Sequence, residues 1–138
     1  MIAVVCVDEK NGMMFHGRRQ SQDRIMRENL LQECRGKRLY MNEYSARLFK
    51  DDEGAEIIVS ENSLKDAGEG DFCFAEDMDI NDYVQKIETL ILYKWNRCYP
   101  ADFFLSGILS DGNWILDRTE EFKGYSHERI TKEVYRKV

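Results

Sequence analysis

The sequence predicts an α/β protein: a mixed, mostly parallel central sheet with flanking helices and a C-terminal antiparallel strand pair. Three observations predict it. Short apolar runs rich in β-branched residues, such as Ile2–Val7 and residues 56–60, read as strands buried on both faces. Segments with helical spacing alternate with those runs through the first half of the chain. The second half is mostly strand-like and closes on two extended segments, residues 114–117 and 130–135, that read as an antiparallel pair.

Each element has a local reason. The first strand, Ile-Ala-Val-Val-Cys-Val, carries no charge until Asp8. Residues 8–20 hold no steady period and contain Gly12 and Gly17, which reads as a loop. Ser21 is placed to cap a helix over 22–33, with Asp23 in its first turn. Ile25, Met26, Leu30 and Leu31 form the apolar stripe of that helix, and Gly36 closes it. Arg38–Met41 reads as a short strand, and Asn42 as the cap of a short helix over 43–49. Residues 51–54, Asp-Asp-Glu-Gly, read as a turn. Ile57, Ile58 and Val59 centre the next strand. Residues 66–71 are a turn rich in glycine and acid, and Phe72-Cys73-Phe74-Ala75 is a short strand. A modest helix is expected over 81–87, a strand over 89–95 and a further extended piece over 102–105.

Length and charge bound the function. The chain has 138 residues and is expected to form one domain, 1–138. Such a chain buries about two thirds of its unfolded surface, enough for a core without metal or disulfide staples. The formal net charge of −6 opposes binding to nucleic acid or to anionic membranes. With two histidines, His16 and His127, no metal site built from a histidine cluster is expected. Cys6, Cys34, Cys73 and Cys98 show no C-x-x-C spacing, and Cys6 and Cys73 read as small buried hydrophobes. The N-terminal apolar run is far short of the ~20 residues that span a bilayer. No leader is evident, so a cytoplasmic protein is expected.

The order of these elements resembles dihydrofolate reductase. Val7-Asp8 ends the first strand, a glycine loop leads to a helix carrying Asp23, and Gly36-Lys37 precedes Leu39-Tyr40-Met41. Ile57-Ile58-Val59-Ser60 follows. Later, Thr89 to Lys94 leads towards an Asp-x-x-Phe-like element at 102–105. Trp114-Ile115-Leu116, Glu120-Glu121-Phe122 and residues 126–137 resemble the last two strands of that family. The resemblance covers almost the whole chain but rests on order and spacing. A strand-helix segment is missing between Ser60 and Phe72, so the chain reads as a trimmed, divergent member.

The resemblance implies a carboxylate beneath a pterin ring, and Asp23 occupies the matching place as the catalytic candidate. The plain alternative is that Asp23 favours the helix N-terminus electrostatically. It also implies NADPH, with Ser45 and Ser60 beside the cofactor. Against that, the places where the family meets phosphate carry Glu43, Glu61 and Glu76-Asp77. No arginine precedes residues 56–60 to pair a folate tail, so a smaller ligand fits better. Residues 17–23, Gly-Arg-Arg-Gln-Ser-Gln-Asp, have no parallel in the family. Arg18, Arg19, Gln20 and Ser21, with Tyr93, are the candidate substrate contacts, the arginines being suited to a phosphate or carboxylate; ordinary surface arginines are the alternative. Trp95 either stacks a planar ligand or covers the sheet end, and Met13-Met14-Phe15 is either a lid or a loop packed on the core.

Three functions compete on these grounds. The first is a small-ligand-binding homologue with a degraded NADPH site, monomeric or homodimeric. The second is an NADPH-dependent reductase of a pterin-like or other small heterocycle. A nuclease of the ribonuclease Z type needs a His-x-His-x-Asp-His metal motif, whereas His16 and His127 stand 111 positions apart.

Overall fold

The computed structural model describes residues 1–49 and 54–138. The strands are β1 (Ile2–Val7), β2 (Gly12–Phe15), β3 (Arg18–Arg19), β4 (Arg38–Met41), β5 (Glu56–Val59), β6 (Phe72–Phe74), β7 (Thr89–Lys94), β8 (Phe103–Phe104), β9 (Trp114–Phe122) and β10 (Ile130–Lys137). The α-helices are α1 (Arg24–Glu33), α2 (Glu43–Ala46) and α3 (Ser63–Asp66). Seven strands form one sheet in the order β5-β4-β6-β1-β7-β10-β9. The first five in that order are mutually parallel, and β10 runs antiparallel to both β7 and β9. The expected mixed, mostly parallel sheet with an antiparallel tail is the architecture found.

β1 is central because both of its faces are covered. Ala3, Val4, Val5 and Val7 have no exposed surface. Each fully buried valine contributes roughly 1.5–3 kcal/mol of transfer free energy. Val4 joins Met26, Leu30 and Leu31 of α1, together with Phe49, on one side of the sheet. Val5 and Val7 join Met13, Met14, Leu64, Ile80 and Ile87 on the other. Of the stripe that the spacing of α1 predicts, Met26, Leu30 and Leu31 are buried and Ile25 is half-buried.

Several local expectations need correction. β5, expected to be buried on both faces like β1, is the edge strand of the large sheet: none of its residues is buried and Val59 is 49% exposed. Residues 8–20 are not an open loop: β2 and β3 form a hairpin, pairing Met14 with Arg19 and Phe15 with Arg18. Its two-residue turn, His16-Gly17, has positive φ at both positions, 50° and 73°, the conformation that matches the right-handed twist of a tight hairpin. β2 also pairs with β8 in a second, three-stranded sheet.

Ser21 does not cap α1. Asp23 does, with extended backbone and a carboxylate that accepts from the N–H groups of Ile25 and Met26. A cap must stand directly before the first helical residue, which is Arg24, and Ser21 lies two residues too early. Asn42 caps α2 as expected, but the segment over 43–49 splits into α2 and a 3₁₀ turn, Arg47–Phe49. Residues 60–72 hold the one-turn helix α3, whose last residue is Asp66, so the turn expected over 66–71 begins one residue later. Residues Ile80–Lys86 are 3₁₀ rather than α, with a kink at Tyr83. β9 runs on to Phe122, because β10 supplies a partner along its whole length. Of the turn expected over 51–54, residues 51–53 lie outside the described residues. Cys73 is fully buried as expected, whereas Cys6 is only partly so, and all four cysteines are free thiols. Among the described residues, no helix is long and apolar enough to cross a membrane.

Candidate functional site

In a parallel sheet the strands end together, and ligand sites form outside their carboxyl ends. Here that edge gathers Asp8 after β1, Asn42 after β4, Ser60 after β5, Glu76 after β6 and Trp95 after β7. The β2–β3 hairpin adds Arg19 and Gln20. The turn between β9 and β10 adds Tyr125, Ser126 and His127.

Asp23 is 1% exposed. Its Oδ1 accepts from the N–H groups of Ile25, Met26 and Tyr125 at 2.9, 3.2 and 3.0 Å. Its Oδ2 accepts from Ser126 N–H at 2.9 Å, Ser126 Oγ at 3.2 Å and His127 Nδ1 at 2.8 Å. A carboxylate offers about four lone-pair sites, so these six donors fill it. Burial alone would raise the carboxyl pKa. The bonds from His127, Tyr125, Ser126 and Met26 outweigh that and hold it well below the usual carboxylate range. Gly124 makes the close packing feasible: a Cβ there would stand 2.6 Å from Asp23 Oδ2 and 2.8 Å from Ile130 Cδ1.

His127 continues the network. It is 4% exposed and its ring stacks on Trp95, with centroids 4.5 Å apart and planes at 19°. Its Nε2 lies 2.9 Å from Ser21 Oγ and 3.2 Å from the Tyr99 hydroxyl. Trp95, 3% exposed, covers the sheet end and this imidazole rather than standing as an open plate. Met13 and Met14 are packed in the core, and only Phe15 of that trio reaches the surface.

The expected phosphate region holds a second closed network. The Arg19 guanidinium donates to both carboxylate oxygens of Glu76, at 2.8 and 3.0 Å, and to the Tyr44 carbonyl at 3.1 Å. It lies 4.0 Å over the Tyr44 ring. Ser45 Oγ donates to Glu76 Oε1 at 2.6 Å. Glu76 is 7% exposed, so it belongs to a buried pair and not to a solvated acidic rim. Glu61 accepts the N–H of Glu43, the first residue of α2, at 2.9 Å. Asp77 accepts from Asn42 Nδ2 at 2.9 Å. Ser60 is separate from Ser45: its hydroxyl donates to Asp66 at 2.6 Å.

The remaining candidates divide. Gln20 Nε2 donates to Asp8 at 3.0 Å, and Gln20 Oε1 is buried with no hydrogen-bond partner. Asp8 also accepts the N–H groups of Lys10, Gly12 and Tyr99; burial raises its carboxyl pKa, and these bonds bring the net shift downward. Tyr93 is fully buried, donates to Asn29 Oδ1 at 2.7 Å and has its phenol pKa pushed up by burial. Arg18 is exposed on β3. Sequence reasoning did not assign roles to His127, Tyr99, Tyr44 or Asn29, and no motif around any of them signals one. Among the described residues, no three His, Cys, Asp or Glu side chains are grouped to hold a metal ion. A cleft of about 380 Å³ lies beside Trp95, lined also by Asn96, Arg97, Glu128 and Arg129.

No protein-family model matches the chain, and no curated protein matches it. Among solved structures, the fold is similar to dihydrofolate reductase from Enterococcus faecalis, solved in complex with NADP(H) and RAB-propyl. The TM-score is 0.68 at 12% identity, over 99% of this chain and 95% of that chain. The chain therefore has a dihydrofolate reductase-like fold.

Proposed function

We propose that this protein binds a small ligand on a dihydrofolate reductase-like fold whose dinucleotide site is filled by the chain's own side chains, so that it performs no nicotinamide-dependent hydride transfer. The observation that carries this is the buried Glu76 carboxylate, held by Arg19 and Ser45. Phosphate needs donors, and these donors already serve a carboxylate. The Glu43 N–H at the start of α2 serves Glu61 in the same way. A phosphate could use Arg19 only by taking it from Glu76, which would leave that nearly buried carboxylate without its cation. The residues present therefore do not fit NADPH. Asp23 offers no unfilled lone pair to a pterin, and Tyr93 is engaged with Asn29.

The cleft at Trp95 supports a small anionic ligand. Its volume of about 380 Å³ suits a small metabolite, and Arg97 and Arg129 suit a carboxylate or phosphate on it.

The test is thermal unfolding and tryptophan emission with NADPH at millimolar concentration. Neither should change. A ligand at a hundred times its Kd adds about 2.7 kcal/mol, which moves the midpoint by several degrees. Such a rise, or consumption of NADPH with dihydrofolate, would overturn the proposal in favour of the reductase. Small carboxylates or phosphates should change tryptophan emission in the wild type and not after Arg97→Ala with Arg129→Ala.

A further inference from the structure

We propose that Ser21, His127 and Asp23 form a nucleophile, base and orienting carboxylate that hydrolyse small carboxylic esters through an acylated Ser21. This goes beyond ligand binding and is compatible with a closed dinucleotide site.

The geometry is complete along the relay. Ser21 Oγ lies 2.9 Å from His127 Nε2, and His127 Nδ1 lies 2.8 Å from Asp23 Oδ2. Such a constellation is recognised by geometry and roles, not by sequence order or fold. The tautomer follows from the partners. Asp23 is ionised and can only accept, so Nδ1 carries the proton that it donates. In that tautomer Nε2 carries the lone pair and faces the serine hydroxyl. The ring is fixed on its face by Trp95 and at its edge by Asp23.

Exposure is graded as the chemistry requires. Asp23 and His127 are 1% and 4% exposed, while Ser21 is partly open to solvent. The Tyr99 hydroxyl, within hydrogen-bond distance of the same nitrogen, competes for its single lone pair at 3.2 Å. Once Ser21 is engaged there, Tyr99 is free to donate to a developing oxyanion. The cleft beside Trp95 shares that tryptophan with the relay. A purely structural clamp needs less: capping α1 and fastening the β9–β10 turn require Asp23 and the N–H groups of Tyr125 and Ser126, not an imidazole aimed at a serine.

The reaction balances without a redox partner. Ser21 Oγ attacks the ester carbonyl carbon as its proton passes to His127 Nε2. The bond to the alcohol oxygen breaks, and the imidazolium protonates the departing alkoxide. Water then attacks the acyl-serine, giving its proton to Nε2. The carboxylic acid leaves as Ser21 regains a proton. One ester and one water become one acid and one alcohol.

The experiment treats the full chain with a fluorophosphonate reporter. Ser21 Oγ displaces fluoride at phosphorus, leaving a stable phosphonyl-serine that peptide mass mapping locates. The label should fall on Ser21, be lost in Ser21→Ala and slow at least 100-fold in His127→Gln, with hydrolysis of p-nitrophenyl acetate falling in parallel. Ser21→Ala removes only a hydroxyl, so its unfolding midpoint should stay near that of the wild type. This keeps the test valid even where His127→Gln fails to fold. Absence of label, label on another residue, or equal labelling of Ser21→Ala would overturn the proposal.

Discussion

Asp23 shows how much one side chain can carry. It caps a helix and fastens a turn that lies 104 residues away in sequence. Asp23→Ala should therefore cost more than a helix cap alone, which is worth about 1 kcal/mol. We expect about 3 kcal/mol in urea unfolding, because the buried His127 also loses its partner. Asp23→Asn should show the sign of the linkage. The folded-state pKa is depressed, so this stabilisation is present above the unfolded carboxyl pKa, about 3.9, and fades as pH falls towards the folded value. Urea midpoints measured between pH 6 and 2 should fall less steeply in Asp23→Asn than in the wild type. Gly124→Ala tests the same packing from the other side. Its Cβ would meet Asp23 Oδ2, Ile130 Cδ1 and the His127 carbonyl, the last at 3.0 Å. We expect a loss of roughly 1–3 kcal/mol, read by the same unfolding assay.

Among the elements, the β2–β3 hairpin ties the carboxyl edge of the sheet together. Its arginine reaches across to Glu76 after β6 and to Tyr44 in α2, joining three elements with one guanidinium. Arg19→Met should be destabilising by about 3 kcal/mol, because it leaves the nearly buried Glu76 without its cation. Arg19→Met combined with Glu76→Met should recover much of that loss. A double-mutant cycle by thermal or urea unfolding gives the coupling. This hairpin was hidden in the sequence because its turn is His16-Gly17 rather than Asn-Gly, and because each strand is too short to show a period. α3 was hidden for the same reason: one turn shows no stripe. β1, α1 and β4 were legible because each carries its own burial pattern; β5 was legible as a strand but not as an edge strand, because its apolar run reads the same whether or not a further strand covers it. Asn42 was legible as a cap because it bonds three residues ahead.

At the scale of the whole molecule, charge and topology act together. Asp8, Asp23, Glu33, Asp71 and Glu120 all have carboxyl pKa values below their ordinary ones, through hydrogen bonds and neighbouring cations that overcome burial. The unfolded chain therefore binds more protons than the folded one in acid. Stability should be flat above about pH 5 and fall steadily below about pH 4, which circular dichroism against pH checks. The net charge of −6 is thus not spread evenly as a solvated coat: Asp8, Asp23, Asp71 and Glu76 are buried against donors. By itself the sequence determined the class of the fold, most of the stripe of α1 and the cap of α2. Those features arise from residues a few positions apart, whose side-chain periodicity acts locally. It also showed acids where phosphate was expected. Only the tertiary structure decided what those acids do. Glu76 meets Arg19 57 positions away, and Ser21 meets His127 106 positions away. Such meetings depend on which strand ends lie side by side in the sheet, and β6 lies between β1 and β4 although it follows both in the chain. No spacing along the sequence records that neighbourhood, because hydrogen bonds and ion pairs are set by distance in space.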